Sequence, residues 1–155
     1  MKTWPKTFVV CANALLIISC GEPAREEAPA AEAAQSSQLA VHDAWARSAD
    51  SGAMTAVYFT VENTAAVPDT LNGVTSDAAE LVGLHMSMQH EGTMHMAEVS
   101  ALAVPAADSL LFRPMGAHVM LTRLTRALVD GDTLRVRLQF VSGKSIEVRA
   151  GVRRP

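Results

Sequence analysis

Residues 81–99 read LVGLHMSMQHEGTMHMAEV, two alternating runs on either side of Glu91-Gly92. Alternation with period two marks a strand, and a Gly-containing pair between two such runs marks a hairpin turn. With a loop of two or four residues, paired positions sum to an odd number, and this assigns every side chain to a face. Val82, Leu84, Met86 and Met88 then lie with His95, Ala97 and Val99, an apolar set expected to face a core. His85 lies instead with Gly83, Ser87, Met94, Met96 and Glu98. On that half-polar face, core packing does not explain a methionine. Met86 and Met88 are expected to be packing residues.

The same pattern extends outward. Val41–Arg47, Ala53–Glu62, Thr70–Val74, His118–Leu124, Thr133–Val141 and Ser145–Val152 are further short alternating runs, separated by turn residues such as Pro68-Asp69 and Ser142-Gly143-Lys144. No window of helical length carries an apolar stripe. An all-β domain of about seven to nine short strands follows, built as a Greek-key β-sandwich or a barrel. Trp45, on the first strand, is expected to anchor the core. Asp130-Gly131-Asp132 reads as a turn, since two carboxylates without further ligand spacing fall short of a calcium loop.

The N-terminus stands apart from this domain. Lys2 and Lys6 precede a thirteen-residue apolar stretch, Thr7–Ser19, which has the length of a signal peptide and is short for a membrane span. It ends in Ile17-Ile18-Ser19-Cys20, which resembles a bacterial lipobox. Residues 1–19 are thus expected to be removed, leaving Cys20 to carry the lipid chains. The expected location is the cell envelope, lipid-anchored in the periplasm. Gly21 after the cysteine favours the outer membrane in a Gram-negative cell. Residues 21–38 are Ala, Glu, Pro and Ser with no large apolar side chain, a composition expected of a flexible tether. Residues 39–155 remain as the folded domain.

This processing removes both cysteines from redox chemistry: Cys11 departs and Cys20 becomes a thioether. Thiol catalysis and cysteine-based zinc sites are excluded together. Without Lys2 and Lys6 the chain has 11 basic and 16 acidic residues, a formal charge of −5, which disfavours nucleic acid as a partner. The Arg153-Arg154 pair reads as a solvated end. No nucleophile or acid–base pair suggests an enzyme.

What stands out is soft-ligand chemistry. Residues 85–96 hold four of the eight methionines and three of the five histidines. A second cluster is Ala117–Leu121, AHVML, where His118 and Met120 are two apart on a strand and point the same way. Two imidazoles and two thioethers make a thiol-free set that suits Cu(I). Zinc prefers Cys, His or carboxylate, and mononuclear iron prefers carboxylates.

His85, ten residues, Met96, twenty-one residues, then His118-x-Met120 resembles the copper-binding signature of the periplasmic PCu(A)C copper chaperones. In that family a methionine often follows the first histidine, as Met86 does here. The resemblance also takes in Asp43-Ala44-Trp45-Ala46-Arg47, Ala56-Val57-Tyr58-Phe59 with Asn63, and Gly131-Asp132, nearly the whole of residues 40–152. It implies a cupredoxin-like β-sandwich with Cu(I) on His85, Met96, His118 and Met120. It also implies delivery of copper to an acceptor protein, cytochrome c oxidase subunit II or an assembly factor.

Unlike family members with a Met- and His-rich tail, this chain ends in Arg153-Arg154-Pro155. Its surplus ligands sit in the hairpin, where Met86, Met94, His90 and His95 are accessory metal candidates, the two histidines for a second, weaker copper ion. The alternative function is copper sequestration without a dedicated acceptor. Blue-copper electron transfer lacks its thiolate.

Overall fold

The computed structural model describes residues 38–90 and 92–154, with the side chain of His90 excepted; the expectations for residues 1–37 lie outside the described residues. Among the described residues there are ten strands. They are β1 (Leu39–Arg47), β2 (Thr55–Asn63), β3 (Asp69–Thr75), β4 (Ala79–His90), β5 (Thr93–Val99), β6 (Leu102–Val104), β7 (Asp108–Leu111), β8 (Ala117–Leu124), β9 (Thr133–Phe140) and β10 (Ser145–Arg153). Their pairing follows the path β5-β4-β8-β2-β1-β10-β9-β3-β6, with β7 added on β2. The strand count exceeds the expected seven to nine because β6 and β7 span only 3 and 4 residues. Runs that short show too little alternation to be read as strands.

Period-two patterning produces the core directly. In β9, Leu134, Val136, Leu138 and Phe140 are buried while the residues between them are exposed, and Val148, Ala150 and Val152 of β10 repeat the pattern. Each fully buried aliphatic or aromatic side chain contributes about 1.5–3 kcal/mol relative to exposure. Phe59 and Phe112 stack in the same core with ring centroids 4.2 Å apart. Asn63, almost fully buried, ties the end of β2 to the β6 side. Its Nδ2 donates to the carbonyls of Val67 and Pro105, both at 3.0 Å.

Most connections are antiparallel, but β1 pairs with β10 in parallel, Trp45 opposite Gly151. On its other side β1 pairs with β2, and the register shifts between His42 and Trp45. Asp43 adopts φ +54° at this irregularity. The shift corrects the expectation for Trp45: Ala46 is fully buried, and Trp45 is displaced to a half-buried position on the outer face. There its ring lies 4.6 Å from Tyr58 and receives the Arg153 guanidinium at 3.8 Å, a cation–π contact. Arg153 is therefore a packing partner, not a free solvated end.

The Asp130–Asp132 turn is a turn, with Gly131 at φ +92°. Its carboxylates are spent on structure, since Asp132 accepts from the Val129 N–H at 3.0 Å and Asp130 from the Arg154 N–H at 3.2 Å.

Candidate metal centre

The hairpin forms in the odd-sum register. His90 pairs with Thr93, Met88 with His95, Ser87 with Met96 and His85 with Glu98, with Gly92 in the turn. Gly92 has φ +78°, a conformation that this kind of turn demands and glycine adopts without strain. Met96 is thus the diagonal neighbour of His85 on the same face.

β8 lies on the other side of β4 and completes the group. His85 pairs with His118, and Gly83 with Met120. Met96, His85 and the His118/Met120 pair therefore come from three adjacent strands, β5, β4 and β8. The imidazole rings of His85 and His118 stack with centroids 5.8 Å apart and an interplanar angle of 26°. His118 is buried despite being polar, and its Nδ1 meets the Gly116 carbonyl oxygen at 3.0 Å. A carbonyl can only accept, so Nδ1 carries a proton, and in the neutral ring the lone pair is then on Nε2. A hydrogen bond of this kind orients metal-binding histidines.

His85 is the more unusual of the two. Its Nδ1 is buried and lacks a hydrogen-bond partner. Its Nε2 stands 3.4 Å from the position a Cβ on Gly83 would occupy, so the absence of a side chain at Gly83 leaves room for the ring. Burial, with the adjacent His118 as a second cause, holds the His85 pKa below the ordinary imidazole value, against an opposing pull from Glu98. The ring is thereby kept neutral, the form that can donate a lone pair.

His118, Met120 and Met96 line one open cleft of about 390 Å³, whose wall includes Tyr58, Arg47 and Ser87. His85 does not line the cleft; it lies beside His118, stacked on that ring. Met96 is 55% exposed, an ill-packed thioether at the surface of the site. Among the described residues no group of three or more His, Cys, Asp or Glu side chains could hold an ion, and the thioethers of the cleft are the further side-chain donors at hand.

The accessory candidates separate by face. Met94 lines the cleft. Met86 is half-buried against the core, as expected of a packing residue. Met88 corrects its expectation, being 53% exposed. The reason lies in strand lengths: β8 pairs with β4 only up to Met86, opposite Ala117, so beyond it the hairpin tip has only β5 beside β4. His95, opposite Met88, is likewise exposed and faces away from His85. The backbone of His90 pairs with Thr93; its side chain lies outside the described residues. Two further cleft residues were missed in the sequence, Met54 in the loop before β2 and Met115 in the turn before β8. Met115 belongs to no periodic run, Met54 falls at the start of the Ala53–Glu62 run but ahead of the strand itself, and a lone methionine carries no signal by itself.

An all-β domain presenting imidazoles and thioethers from three adjacent strands defines a class of soft-metal-site domain. The chain belongs to the LpqE-like family, described as "Putative lipoprotein LpqE-like", whose model matches residues 39–152. This is the PCuAC-like family. A "Putative lipoprotein Lxx21020" of Leifsonia xyli subsp. xyli is 34% identical over 120 residues, covering 77% of this chain and 72% of that protein. The solution structure of CuI-DR1885 from Deinococcus radiodurans is 32% identical, with TM-score 0.59 over 81% of this chain and 87% of that one. The copper-bound PCuAC domain from PmoF2 has the same fold, with TM-score 0.64 at 24% identity over 76% of this chain and 94% of that domain.

Proposed function

We propose that this protein is an extracytoplasmic Cu(I) carrier, anchored in the cell envelope through Cys20, that holds its ion on His85, Met96, His118 and Met120. The observation that carries this reading is the stacked His85–His118 pair, one ring with a buried unpartnered nitrogen and the other with its proton fixed on Nδ1. Beside the pair, Met96 and Met120 supply sulfur in a cleft without thiols. Neutral imidazole and thioether suit a soft monovalent ion. The copper content of two structural relatives, CuI-DR1885 and the copper-bound PmoF2 domain, supports the choice of metal.

Copper is cargo here, and the chemistry required of the chain is ligand exchange. Thioethers hold Cu(I) without the strength of thiolates, and an exposed Met96 is the ligand an incoming donor can displace first. An acceptor bearing thiolates then takes the ion, with no change in oxidation state. The acceptor we favour is cytochrome c oxidase subunit II or one of its assembly factors. On this reading the protein is not an enzyme, since nothing is transformed.

The test is an anaerobic Cu(I) titration followed by X-ray absorption, with nitrogen and sulfur both expected around the metal. A coordination shell of oxygen and nitrogen alone would sink the assignment. Mixing the loaded protein with an apo oxidase fragment then separates delivery from sequestration: a store retains its copper, whereas a carrier passes it on.

A further inference from the structure

The cleft beside His118 holds more thioethers than one ion requires. Met54, Met94 and Met115 line the same space as Met96 and Met120. They arrive from three separate places: the loop before β2, strand β5, and the turn before β8. All three are solvent-exposed, at 59%, 43% and 73% respectively. Exposed methionine forgoes the burial that normally justifies it. Three such residues around one opening call for an explanation other than packing.

Met115 makes the case sharper. Its φ is +63°, in the left-handed region where glycine or asparagine is the ordinary occupant. The turn carrying it is well tied. The Gly116 N–H donates to the Arg113 carbonyl at 3.1 Å, and the Gly116 carbonyl accepts from the Ser87 N–H at 3.1 Å as well as from His118 Nδ1 at 3.0 Å. The turn that orients His118 therefore also holds a strained, exposed thioether at the lip of the cleft.

The dimensions and the donor atoms of the space fit a soft cation. A volume of 390 Å³ is that of a sphere roughly 9 Å across. Unbranched methionine side chains with three rotatable bonds can converge within it. No carboxylate lines the cleft among the described residues, which disfavours hard divalent ions; the Arg47 guanidinium opposes every cation alike and does not discriminate. Neutral sulfur is what remains.

We infer that Met54, Met94 and Met115 form a second, all-thioether Cu(I) position at the mouth of the cleft, through which the ion enters and leaves the inner site. This rests on the proposed function for the identity of the ion and for the inner site that the ion reaches. The step is an exchange of one sulfur donor for another and of thioether for imidazole. No bond of the protein is broken and no electron moves.

The experiment uses the full chain in detergent micelles, labelled with ¹³C at the methionine methyls and titrated anaerobically with Cu(I). The first equivalent is expected to shift the methyls of Met96 and Met120, and the second those of Met54, Met94 and Met115. The Met54→Leu, Met94→Leu, Met115→Leu variant should keep the first equivalent and lose the second; leucine is close in volume and the positions are exposed, so the fold is spared. A second equivalent that persists in this variant overturns the inference and moves the extra ion elsewhere, with Met88 and His95 the next candidates. A parent protein that binds one equivalent and no more also overturns it, while leaving the inner site intact. Absence of any Cu(I) binding overturns both readings together.

Discussion

Replacing Gly83 tests the inner site without touching a ligand. A Cβ built at this position comes within 3.1 Å of Glu98 Oε1 and 3.4 Å of His85 Nε2. Alanine is tolerable, because the Glu98 carboxylate is the far end of an exposed, flexible side chain and the histidine contact is ordinary. Valine is different: its two methyls extend about 1.5 Å beyond the Cβ, into the space of the His85 ring. Because Met120 is the cross-strand partner of Gly83, the second thioether is crowded as well. The backbone does not resist the change, since Gly83 lies in a strand without positive φ and valine favours strands by a fraction of a kcal/mol. Gly83→Val should therefore leave the urea midpoint equal or slightly higher while Cu(I) affinity falls about 10–100-fold, the usual cost of misorienting a metal ligand. That loss corresponds to about 1.4–2.7 kcal/mol of binding. Competition against a Cu(I)-specific chelator measures it, with Gly83→Ala as the near-neutral control. Affinity of the valine variant within twofold of the parent would show that His85 is not held over Gly83 in the copper-bound state, and the reasoning would fail.

Three further outcomes follow from the same geometry. Because burial and His118 depress the His85 pKa while Glu98 raises it, the neutral ring persists at neutral pH and protons displace copper only below about 6.5. Glu98→Gln removes the opposing pull and should move the acid-release midpoint to lower pH; an upward shift would contradict the assignment. The apo protein obeys the same sign: a ring that resists protonation only when folded supports stability above the ordinary imidazole value and loses that support as pH falls. Met86→Ala should cost about 1–2.5 kcal/mol in urea unfolding, half the range for a fully buried methionine because Met86 is half-buried, whereas Met88→Ala should cost almost nothing. Cys20→Ser should release the protein from the membrane fraction or leave it unprocessed, and unchanged lipid labelling in that variant would refute the anchor.

The hairpin was legible because its information is local. Alternation specifies which residues share a face, and a two-residue turn at Gly92 converts that into a register. His85 and Met96 could thus be placed together, as could His118 and Met120, from spacing within single elements. Residues of the core strands were equally legible, as in Leu134–Phe140. Trp45 was not, because a register shift in β1 between His42 and Trp45 changes which side chain faces inward, and neither Asp43 nor its neighbours announce it. Met88 was misplaced for a related reason: the pattern assigns a face but not how far the neighbouring strand β8 runs alongside.

The amino-acid sequence alone specifies the all-β class, the hairpin parity and a candidate ligand set too soft for zinc and too poor in thiolate for blue copper. These depend on residue type and on a period of two, which act over neighbouring positions. Only the tertiary structure decided that β8 lies against β4 and sets His118 beside His85. It likewise brought Met54 and Met115 from two unrelated turns to the rim of the same cleft. Strand neighbours far apart in the chain are selected by which arrangement buries the most apolar surface with every backbone group paired. That selection is collective, and no single strand carries it.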